Sequence, residues 1–407
     1  MHIGEVLSCF LVWNLVGDPG HGSLRPAMFR PMPTAPCSSD RGPILVGTWS
    51  FSLAAIESAW STLNGASGSG DQSGAGQGSG STLLDAIEVA CQHADLDLSV
   101  DSVGLGGLPD SSGRMSLDGA IMASPIRFAG VAGLRRHVHP VSVARLVMER
   151  TEHTLLCGDD ADDFADRHGF AGQELLSDDA KAAFETWAAA RRDGGGDPID
   201  QRTDQSLLGL RPQDPGLGSA AGGRLFRPND GREGAAPAGH DTIGVLGRDA
   251  SGNLAAGCST SGLPFKVPGR VGDSPIAGHG LFVQPGVGLA TATGTGELIA
   301  GICASFVAVE TLRRGGTLLD AIREVMLRID ELGPRRPHHQ VGVVVMDAAG
   351  NVASGAYRPG FLVATRDEGG GRVSGPDLVH RPEDDGLPES AREGLAKRDK
   401  PNPKEDP

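Results

Sequence analysis

The chain is short of aromatic residues, which make up 4% of its 407 positions and include a single tyrosine. A binding surface built on aromatic stacking is therefore not expected. Basic residues are also in deficit, with 36 Lys and Arg against 51 Asp and Glu, a formal charge of −15. A nucleic-acid partner calls for a basic face, so that class is excluded. Cys9, Cys37, Cys91, Cys157, Cys258 and Cys303 are scattered without CxxC or CxxxC spacing. They read as small apolar residues, with neither a zinc site nor a disulfide framework indicated. His137/His139 and His338/His339 lack a carboxylate or cysteine at ligand spacing, so they read as solvated or structural histidines. No metal and no other cofactor is expected. No segment approaches the ~18 apolar residues of a membrane span, so no membrane partner is expected. Residues 6–16 are apolar but follow Glu5 and lack a Lys/Arg n-region, and Cys37 after Ala35-Pro36 is a poor lipobox. Both fit export badly. A cytoplasmic location is favoured over export, and the compartment stays open.

What the chain has in abundance is glycine, 61 residues, which suits tight turns and close backbone contacts. Residues 1–42 read as an extension outside the fold. A buried-type strand is expected at 43–49 and a helix at 53–63. A Gly/Ser/Gln tract at 65–80 reads as a flexible surface loop, and a second amphipathic helix opens at Ser81 and runs to His93. Glycine-broken strands are expected at 102–107 and 115–122, then helices at 141–150, 159–168 and 179–191. From 192 to 238 the pattern dissolves into a polar connector. Regularity returns at Thr242: a strand to Arg248, a turn at 249–252 and a strand at 253–259. Residues 341–355 repeat that hairpin, and helices at 297–313 and 317–332 lie between, the first apolar nearly all round and so buried. A charged, Gly/Pro-rich tail at 367–407 is expected to be disordered. Hairpins alternating with helix pairs indicate sheets covered by helices, a layered α/β or α+β arrangement.

The residues 240–244 read His-Asp-Thr-Ile-Gly. A threonine inside a chain is a poor nucleophile. Cut free at its amino side, Thr242 would carry an α-amine of pKa about 7.7–8.0 beside its own hydroxyl, supplying base and nucleophile together. Downstream, residues 257–262 end a strand with three hydroxyls, and 269–275 set Arg270 and Asp273 three apart in a turn. Gly294-Thr295-Gly296-Glu297 opens a helix, where exposed N–H groups suit a developing oxyanion. A third glycine at dinucleotide spacing and a βαβ context are lacking, which weighs against nucleotide binding. Taken singly, Thr242, Thr260 and Thr293 would be strand threonines, and Arg270 and Asp273 a surface pair. Gly294 would be a turn glycine and Trp49 core. Their co-occurrence in order is what changes the reading.

Residues 44–64, 81–192 and 239–357 resemble glycosylasparaginase, a branch of the N-terminal nucleophile hydrolases in the type 2 asparaginase family. The resemblance rests on Thr48-Trp49, 102–110 (Ser-Val-Gly-Leu-Gly-Gly-Leu-Pro-Asp), 240–244, Ser259-Thr260, 269–275 (Gly-Arg-Val-Gly-Asp-Ser-Pro) and Ala292-Thr293-Gly294. It implies an α+β fold, a four-layer αββα sandwich made as a precursor that cuts itself between Asp241 and Thr242. Residues 43–241 and 242–366 would then be the α-chain and β-chain parts of one domain. In that picture Asp241 strains and polarises the scissile bond, and Thr242 attacks the side-chain amide of an N4-glycosylated asparagine. Thr260 tunes the Thr242 hydroxyl, Arg270 grips the substrate α-carboxylate and Asp273 its α-ammonium. Thr293 and Gly294 form the oxyanion hole, and Trp49 lines the entrance. The implied partner is a small-molecule substrate, with two processed heterodimers pairing into a homodimer. The chain departs from the family at 121–124 (Ile-Met-Ala-Ser for Ile-Met-Asp-Gly), in the longer tract at 65–80, and at 279–283 (His-Gly-Leu-Phe-Val for Gly-Ala-Tyr-Ala-Asp). The last departure bears on substrate choice. Two alternatives stay open: a plant-type isoaspartyl peptidase or L-asparaginase, whose His-Gly-Gly-Ala-Gly start is absent here, and an unprocessed, non-catalytic amino-acid binder.

Overall fold

The computed structural model describes residues 42–64, 80–194, 242–332 and 339–380. Asp241, His338, all but the edges of the expected loop at 65–80 and connector at 192–238, and residues 1–41 and 381–407 lie outside that description.

Helices and sheets are mixed, as an α+β fold requires. Eight strands form one sheet: β1 (Ile44–Thr48), β2 (Leu117–Ser124), β3 (Arg127–Leu134), β4 (Leu155–Cys157), β5 (Ile243–Arg248), β6 (Leu254–Thr260), β11 (Val363–Asp367) and β12 (Gly370–Ser374). Their order across the sheet is β12-β11-β1-β5-β6-β2-β3-β4. A second sheet, ordered β13-β10-β9-β8-β7, uses β7 (Leu281–Gln284), β8 (Gly288–Gly294), β9 (Val341–Asp347), β10 (Val352–Ala356) and β13 (Leu378–Val379).

Side-chain alternation sorts the strand residues of the core into three clusters, and a fourth, small one joins Leu108, Ala180, Ala183 and Phe265 away from the sheets. Leu45, Ile243 and Val245 pack with α1 (Ser52–Asn64), α2 (Gly80–Leu96) and α3 (Pro140–Arg150), a cluster that α4 (Gly158–Arg167) also joins; α5 (Asp178–Gly194) follows it in the chain. Val341, Val343 and Val345 pack with α6 (Gly296–Ile302), α7 (Ala304–Arg313) and α8 (Leu318–Glu331). Between them, Val46, Met122 and Leu246 of the first sheet meet Leu281, Val344 and Met346 of the second. Each such fully buried aliphatic side chain contributes about 1.5–3 kcal/mol relative to exposure, and the period-2 pattern fixes which face it serves. Gly244 lets the two sheets approach closely: a Cβ there would lie 2.2 Å from Thr291 Oγ1. That missing side chain lets the start of β5 come down onto the end of β8.

The two hairpins β5–β6 and β9–β10 are built alike. In each, an aspartate carboxylate closes the turn on an asparagine four residues later: Asp249 accepts from Asn253 N (2.9 Å) and Nδ2 (2.7 Å), and Asp347 from Asn351 N (2.9 Å) and Nδ2 (2.7 Å). Helix α8 opens on a reciprocal capping box between Thr317 and Asp320.

Three expectations need correction. Residues 102–107 are not a strand; they hold a 3-10 turn at Gly104–Gly106, where Gly104 (φ +54) lies against the Asp95 backbone. The single helix expected over 297–313 is two, parted at Cys303, whose φ is +53. The break lets Ser305 N and Oγ reach the His279 carbonyl (3.3 and 2.7 Å) and Phe306 N the Gly278 carbonyl (2.9 Å). Nor does order end at Asp367: β12 pairs antiparallel with β11, and β13 runs parallel to β10.

Candidate active site

At the junction of the sheets Thr242, Thr260, Gly262, Leu263, Arg270, Gly272, Asp273, Ser274 and Gly294 line a cleft. The strands bring these residues together from distant positions. Thr242 directly precedes β5, Thr260 ends β6 beside it, and Gly294 ends β8 on the facing sheet.

Thr242 is buried and held from both sides. Its N–H donates to Thr293 Oγ1 at 3.1 Å, while its carbonyl accepts from Thr48 Oγ1 (2.7 Å) and Thr293 Oγ1 (3.3 Å). Thr48 Oγ1 also accepts from Gly244 N at 2.8 Å, so this β1 side chain clamps the backbone on either side of Ile243. The Thr242 hydroxyl points to Ser274 Oγ at 3.4 Å. Thr260 shares the cleft, but its hydroxyl donates to Ser102 O (3.3 Å) and accepts from Gly262 N (2.9 Å). In this structure the hydroxyl facing that of Thr242 is Ser274's, while the Thr260 hydroxyl is turned to Ser102 and Gly262.

Trp49 does not line the entrance. It is 4% exposed and packs edge-on against Phe361, with ring centroids 5.0 Å apart. Its Nε1 donates to Thr293 Oγ1 at 3.0 Å, so it backs Thr293 from inside. Its backbone is left-handed (φ +67), a strained state for a bulky residue. Trp49 N donates to Leu362 O, and Ser52 Oγ donates to Trp49 O; these bonds pin that conformation.

Arg270 and Asp273 face the cleft together. Arg270 is gripped edge-on by Glu297, with Nε to Oε1 at 2.9 Å and Nη2 to Oε2 at 3.0 Å. Asp273 is buried and its Oδ2 has no hydrogen-bond partner among the described residues. Burial pushes its pKa up from the ordinary carboxyl value to about 7; Arg270 pulls it down and Glu297 pushes it up. An unsatisfied buried carboxyl oxygen beside a guanidinium suits a ligand that carries both an ammonium and a carboxylate.

Neighbouring groups that could compete with this chemistry are restrained. Cys258 is buried against Thr291 Oγ1, and burial raises its thiol to about 12, leaving no thiolate at neutral pH. His137 sits between Asp162 (2.7 Å) and Asp166 (3.0 Å), and His139 meets Asp95 at 3.2 Å. Those carboxylates lie far off in sequence, which is why spacing alone did not reveal them. Among the described residues no group of three or more His, Cys, Asp or Glu is arranged to hold a metal. Within the quoted motifs, sequence reasoning gave no role to Thr48, Ser274 or Glu297. All three stand one to three residues from a residue it did single out.

Comparison with known proteins shows the family. A family model described as asparaginase matches residues 73–373. N(4)-(beta-N-acetylglucosaminyl)-L-asparaginase of Elizabethkingia miricola is 33% identical over 341 residues, 83% of this chain and 85% of the relative. The proteins of that name from Rattus norvegicus and Mus musculus are 36% and 35% identical over 297 and 299 residues. Each alignment covers 72% of this chain, and 79% and 78% of the relatives respectively. The chain belongs to the asparaginase family, a family of amide hydrolases.

Proposed function

We propose that the chain is a self-processing amidohydrolase that cleaves the side-chain amide of N4-glycosylated asparagine, giving aspartate and a glycosylamine. The observation that carries this reading is the meeting, in one cleft, of Thr242 with the Arg270–Asp273 pair. The names of the relatives support the glycosylated substrate.

Cleavage between Asp241 and Thr242 begins with Thr242 Oγ1 attacking the Asp241 carbonyl. An N→O acyl shift forms an ester and frees the α-amine of Thr242, and water then hydrolyses the ester, releasing the Asp241 carboxylate and restoring the Thr242 hydroxyl. In turnover that amine takes the Thr242 hydroxyl proton as the oxygen attacks the substrate amide carbon. The proton passes to the departing glycosylamine nitrogen, and water hydrolyses the β-aspartyl ester. Thr260 and Ser274 flank the nucleophile, and Thr293 with Gly294 receives the oxyanion. Arg270 takes the α-carboxylate and Asp273 the α-ammonium. Trp49 acts by holding Thr293 in place. The three core clusters support a helix–sheet–sheet–helix sandwich of four layers. Two processed heterodimers pair into a homodimer.

Denaturing electrophoresis with N-terminal sequencing tests the processing step. Two fragments, one beginning at Thr242, are expected from the wild type and a single band from Thr242→Ala. Fragments from Thr242→Ala would refute the mechanism. Separate assays with Asn-GlcNAc, β-aspartyl dipeptides and asparagine test the substrate. Faster turnover of the dipeptides would make the chain an isoaspartyl peptidase instead.

A further inference from the structure

Arg270 has two hydrogen-bonding edges, and among the described residues one is engaged. Glu297 takes the Nε–Nη2 edge with both carboxylate oxygens, at 2.9 and 3.0 Å. Glu297 itself stands outside the cleft lining, with its side chain 60% exposed against 16% for Arg270. The remaining nitrogen, Nη1, lies beside two glycines that do line the cleft. A Cβ on Gly272 would come within 2.8 Å of Nη1, and one on Gly262 within 3.4 Å. The opposite face is closed by Gly296, whose Cβ would lie 2.9 Å from Nη2 and 2.8 Å from Asp273 Oδ1. The guanidinium thus sits in a cradle of three glycines, with one edge fixed from the solvent side and the other turned inward.

A long arginine side chain loses rotamer freedom when it binds a ligand, and that loss weakens binding unless the side chain is already fixed. A planar fork held by two parallel bonds cannot turn about its own axis without breaking both. We infer that Glu297 is a positioning residue for carboxylate recognition, which fixes Arg270 by its outer edge so that Nη1 meets the α-carboxylate of an amino-acid substrate. Glu297 touches neither the substrate nor the reacting atoms. Its effect falls on binding and not on the chemical step. The assignment rests on the proposed role of Arg270.

The test is Glu297→Gln and Glu297→Ala in the full chain, and the exposure of Glu297 leaves the fold intact. With Asn-GlcNAc, KM should rise about tenfold, as expected for losing charge-assisted bonds to a charged group. The value of kcat should stay within about twofold. With an analogue whose α-carboxylate is replaced by hydrogen, KM should not respond to either substitution. Glu297→Asp, which keeps the charge on a shorter arm, should fall between. Calorimetric binding of L-aspartate, which needs no turnover, should weaken in parallel. If the wild type binds aspartate yet hydrolyses nothing, the proposed activity fails while the assignment of Glu297 is still measured. An unchanged or lower KM and Kd, an equal loss on the carboxylate-free analogue, or no aspartate binding by the wild type overturns it.

Discussion

Replacing Asp273 by asparagine should make the protein more stable, and by an amount that depends on pH. Asp273 is 4% exposed, and burial raises its pKa from 3.8 to about 7. The folded state therefore holds a proton that the unfolded chain releases between these two values. The stabilising contribution of that proton is complete below pH 3.8 and is lost as pH rises through about 7. Above pH 7 the folded protein must carry a buried carboxylate. The shift of about three units costs roughly 4 kcal/mol there, at 1.36 kcal/mol per unit. By the same linkage the cost is below about 2 kcal/mol at pH 5 and under about 1 kcal/mol at pH 4. Asparagine keeps the shape and never ionises. Measured by urea denaturation in a chain kept whole by Thr242→Ala, Asp273→Asn should gain stability over Asp273 as pH rises from 4 to 7, then level off. A difference that is flat across this range, or that grows toward acid, would refute the reasoning. Activity should show the opposite preference. An ammonium needs the ionised carboxylate and the proposed base needs its free α-amine, so wild-type kcat/KM should fall by more than about tenfold per unit below pH 7.

Other substitutions probe the rest of the cleft. Thr293→Ala removes the hydroxyl that joins Trp49 Nε1 to both backbone ends of Thr242; kcat should drop about 10²–10³-fold, the usual cost of one oxyanion donor, as read by steady-state kinetics. Gly296→Ala places a methyl group within 3 Å of both Asp273 and Arg270; KM should rise at least about tenfold while thermal melting shows a folded protein.

Much of the architecture was legible in the sequence because two signals were local. The hairpins at Asp249 and Asp347 announce themselves by Asp-Ala-Ser-Gly-Asn and Asp-Ala-Ala-Gly-Asn, turns whose closing bonds lie within five residues. The helix at 318–331 carries both its cap and its apolar stripe. What stayed hidden depends on partners far away. The strand Arg127–Leu134 is rich in small residues, Arg-Phe-Ala-Gly-Val-Ala-Gly-Leu, and shows no clean alternation. At the break at Cys303, Ser305 and Phe306 turn to the carbonyls of His279 and Gly278, partners that the local sequence does not name. At the site, residue order brought Thr242, Thr260, Arg270, Asp273 and Gly294 to one cleft. The deeper placement of Trp49 against Thr293, and the approach of Ser274 to Thr242, are contacts between residues far apart in the chain, which residue order does not fix.

The strand order of the larger sheet bears on what a cut before Thr242 would do to the life of the molecule. Strand β1 lies between β11 and β5, and β2 lies between β6 and β3, so segments from before and after Thr242 alternate across one hydrogen-bonded surface. The two pieces would remain woven together, and neither could drift off without tearing the sheet. Unfolding, in contrast, would release them as independent chains that must find each other again by diffusion. The uncut chain can refold alone. Its processed form would be assembled once and, after denaturation, recovered poorly in dilution.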